Sequence, residues 1–200
     1  NRPKDWKFLA VCGYRPGIFS PVRTCGPIGA GNGGETASAT PELSGDMDLR
    51  ISRDGQWIFK GEPLAREAIV RLFSTILRRE SDGEYYLVTP VEKWRIQVED
   101  APLLAHSLTV TGESDRQVIS LTTNVGETLE IGQDHPLEVT TYPGSDEPRP
   151  VVKVRHGVEA RLVTAAYYDL AEHVVERNED GHPVLGVFSH GIFYKIGQGG

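Results

Sequence analysis

Arg71, Arg78, Arg79, Lys93 and Arg155 are side chains of the types that grip phosphate or carboxylate, and arginine does so with two parallel N–H donors. They also have plainer uses. Arg78 and Arg79 would complement the negative end of a helix, and Lys93 would pair with a neighbouring acid. Thr89, Asn124 and Tyr167 add hydrogen-bonding groups, although Thr and Asn near strand ends usually satisfy turns. Glu92, Glu99 and Asp100 offer carboxylates for acid–base work, which needs a shared cleft and separated pKa values. The six histidines, at positions 106, 135, 156, 173, 182 and 190, have neither H-x-x-x-H nor H-E-x-x-H spacing, and no cysteine follows residue 25. No metal site or cofactor is expected from them. His156 sits in a hairpin turn, where turn chemistry is the first reading and a ligand contact the second. No G-x-S-x-G elbow surrounds a serine, so Ser189-His190 reads as a turn. None of these residues names a reaction.

The elements that must position them follow from periodicity. Residues 48–53 and 56–60 read as strands around Asp54-Gly55, and residues 64–79 as a helix with Pro63 at its start. Its apolar stripe is Leu64, Ala65, Ala68, Ile69, Leu72, Phe73, Ile76 and Leu77. Asp82-Gly83 then introduces two further strands. The same order recurs later. Residues 151–155 and 158–162 flank His156-Gly157, a helix capped by Thr164 runs over 165–177, and Asp180-Gly181 leads to strands at 184–188 and 192–196. Gly157 follows Gly55 by 102 residues and Gly181 follows Gly83 by 98, so a duplicated hairpin-helix-hairpin unit is expected. Between the copies, residues 103–111, 117–123, 128–131 and 137–141 alternate apolar and polar side chains as an antiparallel meander. Residues 142–150, with Pro143, Gly144, Pro148 and Pro150, read as a loop.

Composition bounds the class. Two hundred residues with 38% apolar content suit one large domain or two small lobes, and no run reaches the ~18 apolar residues of a membrane span. Net charge is −7, unevenly spread: residues 1–40 hold five basic and two acidic side chains, leaving 16 basic against 26 acidic beyond them. Such an acidic body repels phosphate backbones and argues against nucleic acid. Residues 1–40 read as a flexible or mis-assigned leader broken by four prolines, with Trp6, Phe8, Tyr14 and Phe19 available to dock on the body. Gly29, Gly31 and Gly34 match G-x-G-x-x-G but lack the strand before and the helix after that a dinucleotide loop requires. Cys12 and Cys25 are either free thiols or a bridge within this leader, and a body free of cysteine fits a reducing cytoplasm.

The words Phe73-Ser74-Thr75-Ile76-Leu77-Arg78-Arg79, Tyr86-Leu87-Val88-Thr89-Pro90-Val91-Glu92-Lys93 and Val98-Glu99-Asp100-Ala101-Pro102 resemble the bacterial DUF1285 family. Thr123-Asn124-Val125, His135-Pro136-Leu137 and the run from Val154 to Ala160 extend the likeness over about residues 43–197. Ser44 departs from it, since the family favours Cys before Gly45-Asp46, and any role of that thiol is missing here. The resemblance implies a two-lobed α+β fold with an internal duplication and a C-terminal lobe similar to pleckstrin-homology domains. It implies no established enzymatic activity, and a nucleotide-like ligand at the lobe junction in signal transduction.

The expectation is therefore an α+β chain with lobes at 41–102 and 103–197. It is read as a cytoplasmic, non-catalytic protein binding a small anionic ligand, such as a nucleotide, through Arg71, Arg78, Arg79, Thr89, Glu92, Lys93, Asn124, Arg155, His156 and Tyr167. One alternative is a protein-interaction module using exposed sheet edges. Another is a hydrolase or transferase, which requires Glu92 or Glu99 to share a cavity with Arg78 or Lys93.

Overall fold

The computed structural model describes residues 41–198. The leader, with Cys12, Cys25, its aromatic residues and the glycines at 29, 31 and 34, lies outside them.

Short strands dominate, with two α-helices and a short 3-10 helix at Ser114–Arg116 among the described residues. β1 (Leu43–Ile51), β2 (Trp57–Phe59), β3 (Glu62–Pro63), β4 (Leu77–Arg79), β5 (Tyr85–Val88) and β6 (Lys93–Val98) form a first sheet ordered β3-β2-β1-β6-β5-β4. β7 (Leu103–Thr111), β8 (Val118–Thr123), β9 (Thr128–Glu130), β10 (Leu137–Thr141), β11 (Pro148–Lys153) and β12 (Glu159–Leu162) form a second, ordered β9-β8-β7-β12-β11-β10. β13 (Val175–Glu179), β14 (His182–Ser189) and β15 (Ile192–Gln198) make a third. The two large sheets thus share one strand order, each built from two antiparallel triplets joined by a central parallel pair, β1 with β6 and β7 with β12. The meander therefore stops at β9. β10 lies at the opposite edge of the sheet and pairs with β11.

Helix α1 (Glu67–Ile76) is shorter than its apolar period predicts. Leu64 and Ala65 precede it, Pro63 belongs to β3, and residues 77–79 form β4. Two forces end the helix at Ile76. The hydroxyls of Ser74 and Thr75 donate to the carbonyls of Arg71 and Leu72, local bonds that weaken a last turn. Leu77 meanwhile pairs with Leu87 and is wholly buried, which stabilises the extended form by roughly 1.5–3 kcal/mol. Helix α2 (Thr164–Ala171) also stops early, and residues 175–179 pair with β14 instead. Thr164 is its first helical residue and forms no side-chain cap; the capping position is held by Val163. The loop expected at 142–150 shrinks to a turn closed by Tyr142 N–H donating to the Glu147 carbonyl at 3.2 Å. Pro148 and Pro150 fit within β11 because β12 pairs only with residues 151–153, so no ladder donor is needed at either proline.

The core crosses the boundary between the two large sheets. Leu49, Ile51, Trp57, Phe73, Leu77 and Leu87 pack with Leu103, Val125, Val154 and Ala160, while Ala105 and Leu162, two residues further along the same strands, join a second core with α2, Val187 and Tyr194. The two turn glycines found in the sequence are the reciprocal contact points. Gly55 (φ +75°) leaves space for a Cβ only 2.8 Å from Asn124 Nδ2, and Gly157 (φ +74°) only 2.8 Å from the Arg79 carbonyl oxygen. Their positive φ and lack of a side chain let each turn press on the opposite half.

Candidate functional site

A cleft of about 740 Å³ opens where β5 and β6 face the β10–β11 hairpin. Asp100, just beyond β6, is its hub. Arg149 Nε donates to Asp100 Oδ1 at 2.7 Å and the Tyr142 hydroxyl donates to Oδ2 at 3.0 Å. Arg161 Nε approaches the same Oδ2 at 2.8 Å without hydrogen-bond geometry, so it acts there as a charge only. Arg149 also donates to Glu159 at 2.5 Å, and Lys153 Nζ lies 3.3 Å from that residue's other carboxylate oxygen. Asp100 and Glu159 side chains are only 9% and 5% exposed, so these floor carboxylates are already neutralised. Burial opposes the charge on Arg149, but its bonds to Asp100 and Glu159 outweigh that and hold its pKa above the ordinary value.

The walls differ from the floor. Arg53 and Arg79 line the cleft with no carboxylate at ion-pair distance among the described residues. The Arg53 guanidinium lies 4.8 Å from the Tyr142 ring centre, and that of Arg79 lies 5.4 Å from the Tyr85 ring centre while its Nε donates to the Gly83 carbonyl. Burial, followed by the Glu159 charge, pushes the Tyr85 phenol up to about 12, so it remains a neutral donor at physiological pH. The arrangement offers two guanidinium groups without carboxylate partners and a protonated phenol beside a floor of paired charges, which is suited to holding an anion.

Of the residues singled out in the sequence, the carboxylates Glu99 and Asp100 and, from the expected ligand set, Arg79 line this cleft. The neighbours of Arg79 on the seam do other work. The Arg79 N–H donates to the His156 carbonyl at 2.9 Å, and His156 is an exposed turn residue with φ +49°. Arg155 binds Glu127 and the Ser74 carbonyl, and Arg71 lies over Gly126. Asn124 Oδ1 accepts from Leu104 N–H while its Nδ2 donates to the Gly55 carbonyl. These contacts join the two halves. Thr89 and Glu92 close the β5–β6 turn, and Glu92 also accepts from Trp94 Nε1. Lys93 and Arg78 align with Val88 and Tyr86 on the sheet face opposite Tyr85 and Ile96, where Lys93 pairs with Glu80 at 2.8 Å and lies over the Tyr86 ring. Arg78 and Arg79 complement no helix end, because both lie in β4. Tyr167 packs on the second core. Glu99 lines the cleft but Glu92, Arg78 and Lys93 do not, so this cleft does not join the carboxylate and cation that the hydrolase or transferase alternative called for.

Arg53, Tyr85, Tyr142, Arg149, Lys153 and Glu159 escaped the sequence reading. One signal existed: Arg149 and Lys153 share a face of β11 with Glu159 and Arg161 of the adjoining strand, an alternation of charge where a core strand should alternate apolar residues.

Fold and cleft together define an α+β protein of two joined halves with a charged cleft between them. The N-terminal domain of unknown function of the DUF1285 family matches residues 37–101, and the C-terminal domain of the protein of unknown function DUF1285 matches residues 102–196. The chain belongs to the DUF1285 family. It is similar to the crystal structure of a DUF1285 family protein from Silicibacter pomeroyi DSS-3, with 42% identity over 80% of this chain and 84% of that one, and a TM-score of 0.72. A second DUF1285 family protein, from Shewanella baltica OS155, is 27% identical over 63% of this chain and 91% of that one, with a TM-score of 0.50. Comparison with curated proteins gives no match. No helix among the described residues is long and apolar enough to cross a membrane, and no cluster of three or more potential metal ligands occurs among them.

Proposed function

We propose that the cleft binds a small anionic ligand, a nucleotide or related phosphorylated metabolite, in a non-catalytic and cytoplasmic role in signal transduction. The observation that supports this is the pair of guanidinium groups, Arg53 and Arg79, left without carboxylate partners on the walls of a cleft whose floor acids are already bound. An incoming anion meets unused donors and displaces no existing ion pair. The cleft lies between halves that share one strand order, which is compatible with an internal duplication and a pleckstrin-like second half.

A thermal-shift screen of the full chain against mono-, di- and cyclic nucleotides and phosphorylated metabolites tests the reading. A ligand at a hundred times its dissociation constant should raise the midpoint by about 5–10 °C, and Arg53→Gln with Arg79→Gln should abolish the shift. Flat curves throughout would reject it in favour of a protein partner. The open edge of β13, where all five residues are exposed and Val175 is 43% exposed, is the feature that favours that second reading.

A further inference from the structure

Arg53 is held on three sides and left free on the fourth. Its backbone N–H donates to Glu99 Oε2 at 3.0 Å, and its carbonyl accepts from Arg161 Nη2 at 3.1 Å. Its guanidinium rests on the Tyr142 ring, 4.8 Å from the centroid, and meets no carboxylate at ion-pair distance among the described residues. Tyr142 is itself fixed at its far end, where its hydroxyl donates to Asp100 Oδ2 at 3.0 Å. Asp100 is clamped in turn by Arg149 and Arg161. A buried, fully paired carboxylate in the floor therefore fixes a tyrosine in the β10–β11 turn, and that ring supports a cation from the other half of the molecule.

This chain of contacts has a thermodynamic consequence. An unrestrained arginine side chain carries rotamer entropy that an anion must offset on binding. A guanidinium lying on a fixed ring has lost part of that freedom already, and the ring face leaves its N–H edges available for in-plane bonds to oxyanions. Pre-organisation of this kind raises affinity without adding a contact to the ligand.

Resting on the anion-binding reading of the cleft, we infer that Tyr142 is a positioning residue, which acts through Arg53 to pre-set the cleft for a phosphate or carboxylate group. Tyr142 meets Arg53 through its ring face and through its hydroxyl, which favours the charged guanidinium, and the bond of that hydroxyl to Asp100 orients the ring. The effect assigned to Tyr142 runs through Arg53, so it vanishes when Arg53 is absent.

The experiment uses the full chain with Tyr142→Phe, Tyr142→Leu, Arg53→Gln and the Tyr142→Leu/Arg53→Gln pair, titrated calorimetrically with inorganic phosphate and pyrophosphate. Tyr142→Leu should weaken binding by about fivefold or more, while Tyr142→Phe, which keeps the ring but loses the hydroxyl, should restore part of it. In the Arg53→Gln background the leucine substitution should cost nothing further. A ligand-free readout accompanies the titrations: in NMR spectra the Arg53 Nε–H resonance should carry a ring-current shift that persists in Tyr142→Phe and disappears in Tyr142→Leu. If the wild type binds neither anion but shows the ring-current shift, anion binding fails while the held geometry stands, and the role assigned to Tyr142 is overturned with it. Equal binding by Tyr142→Leu and wild type, or no ring-current shift, overturns the inference alone. Should Tyr142→Leu fail to fold, as judged by its melting curve, the decision passes to Tyr142→Phe, where loss of the shift despite a native fold has the same force.

Discussion

Tyr85 gives the cleft a measurable signature at the level of a single group. Its phenol is raised to about 12, first by burial and then by the Glu159 charge, against an ordinary value near 10. The folded state therefore binds this proton more tightly than the unfolded chain. The resulting stability is fully present below about pH 10 and is lost as pH rises through about 12. Tyr86 is also raised to about 12, first by donating its hydroxyl to Asp82, so the contribution of Tyr85 must be isolated by difference. The denaturant midpoint of wild type should fall relative to that of Tyr85→Phe as pH rises across this alkaline range. Parallel curves would show that Tyr85 titrates normally.

At the scale of elements, the ends of both helices separate local from tertiary control. A capping threonine typically contributes about 1 kcal/mol, so Thr164→Ala would cost that much if the hydroxyl closed α2. With no cap bond at Thr164, the substitution should change stability by less than about 0.5 kcal/mol. Leu77→Ala provides the contrast. Periodicity would place Leu77 at the end of a helix stripe, but it is a wholly buried strand residue opposite Leu87, and its truncation should cost about 2–5 kcal/mol. Equilibrium urea unfolding of the two variants checks both values. A large loss in the first or a small loss in the second would reject these assignments.

Across the whole molecule, Asp100 and Arg149 join the halves, one beyond β6 and the other in β11. Removing one member of a nearly buried pair strands its partner, so Asp100→Ala should destabilise by roughly 3 kcal/mol. Arg149→Ala should have a comparable effect, because it also leaves Glu159 with Lys153 alone. The double variant should lose clearly less than the sum of the two, since each single variant already forfeits the shared interaction. Additive losses in a double-mutant cycle would mean that the pair is not coupled and that apolar packing and the other hydrogen bonds of the seam unite the halves.

The amino-acid sequence by itself determined the α+β class, most strand positions and the family. Alternation marked β7 at residues 103–111 and β10 at 137–141 to the residue, because the period of a half-covered strand is written in neighbouring side chains. Glycine turns at Gly55 and Gly157 were legible for the same local reason, although not their use as contacts between halves. Tertiary structure alone decided the rest. Leu77 is apolar in either conformation, so only its pairing with Leu87 could turn the end of a helix into β4. The parallel pairs β1–β6 and β7–β12 join strands that are distant in sequence and leave no mark in local periodicity. The cleft followed the same logic. Arg79 was legible as a candidate, whereas Lys93, equally cationic, faces the other side of its sheet, and Arg53 and Tyr142 meet only because the seam brings them together. Charge type is a property of the residue, but whether that charge already has a partner is a property of the fold.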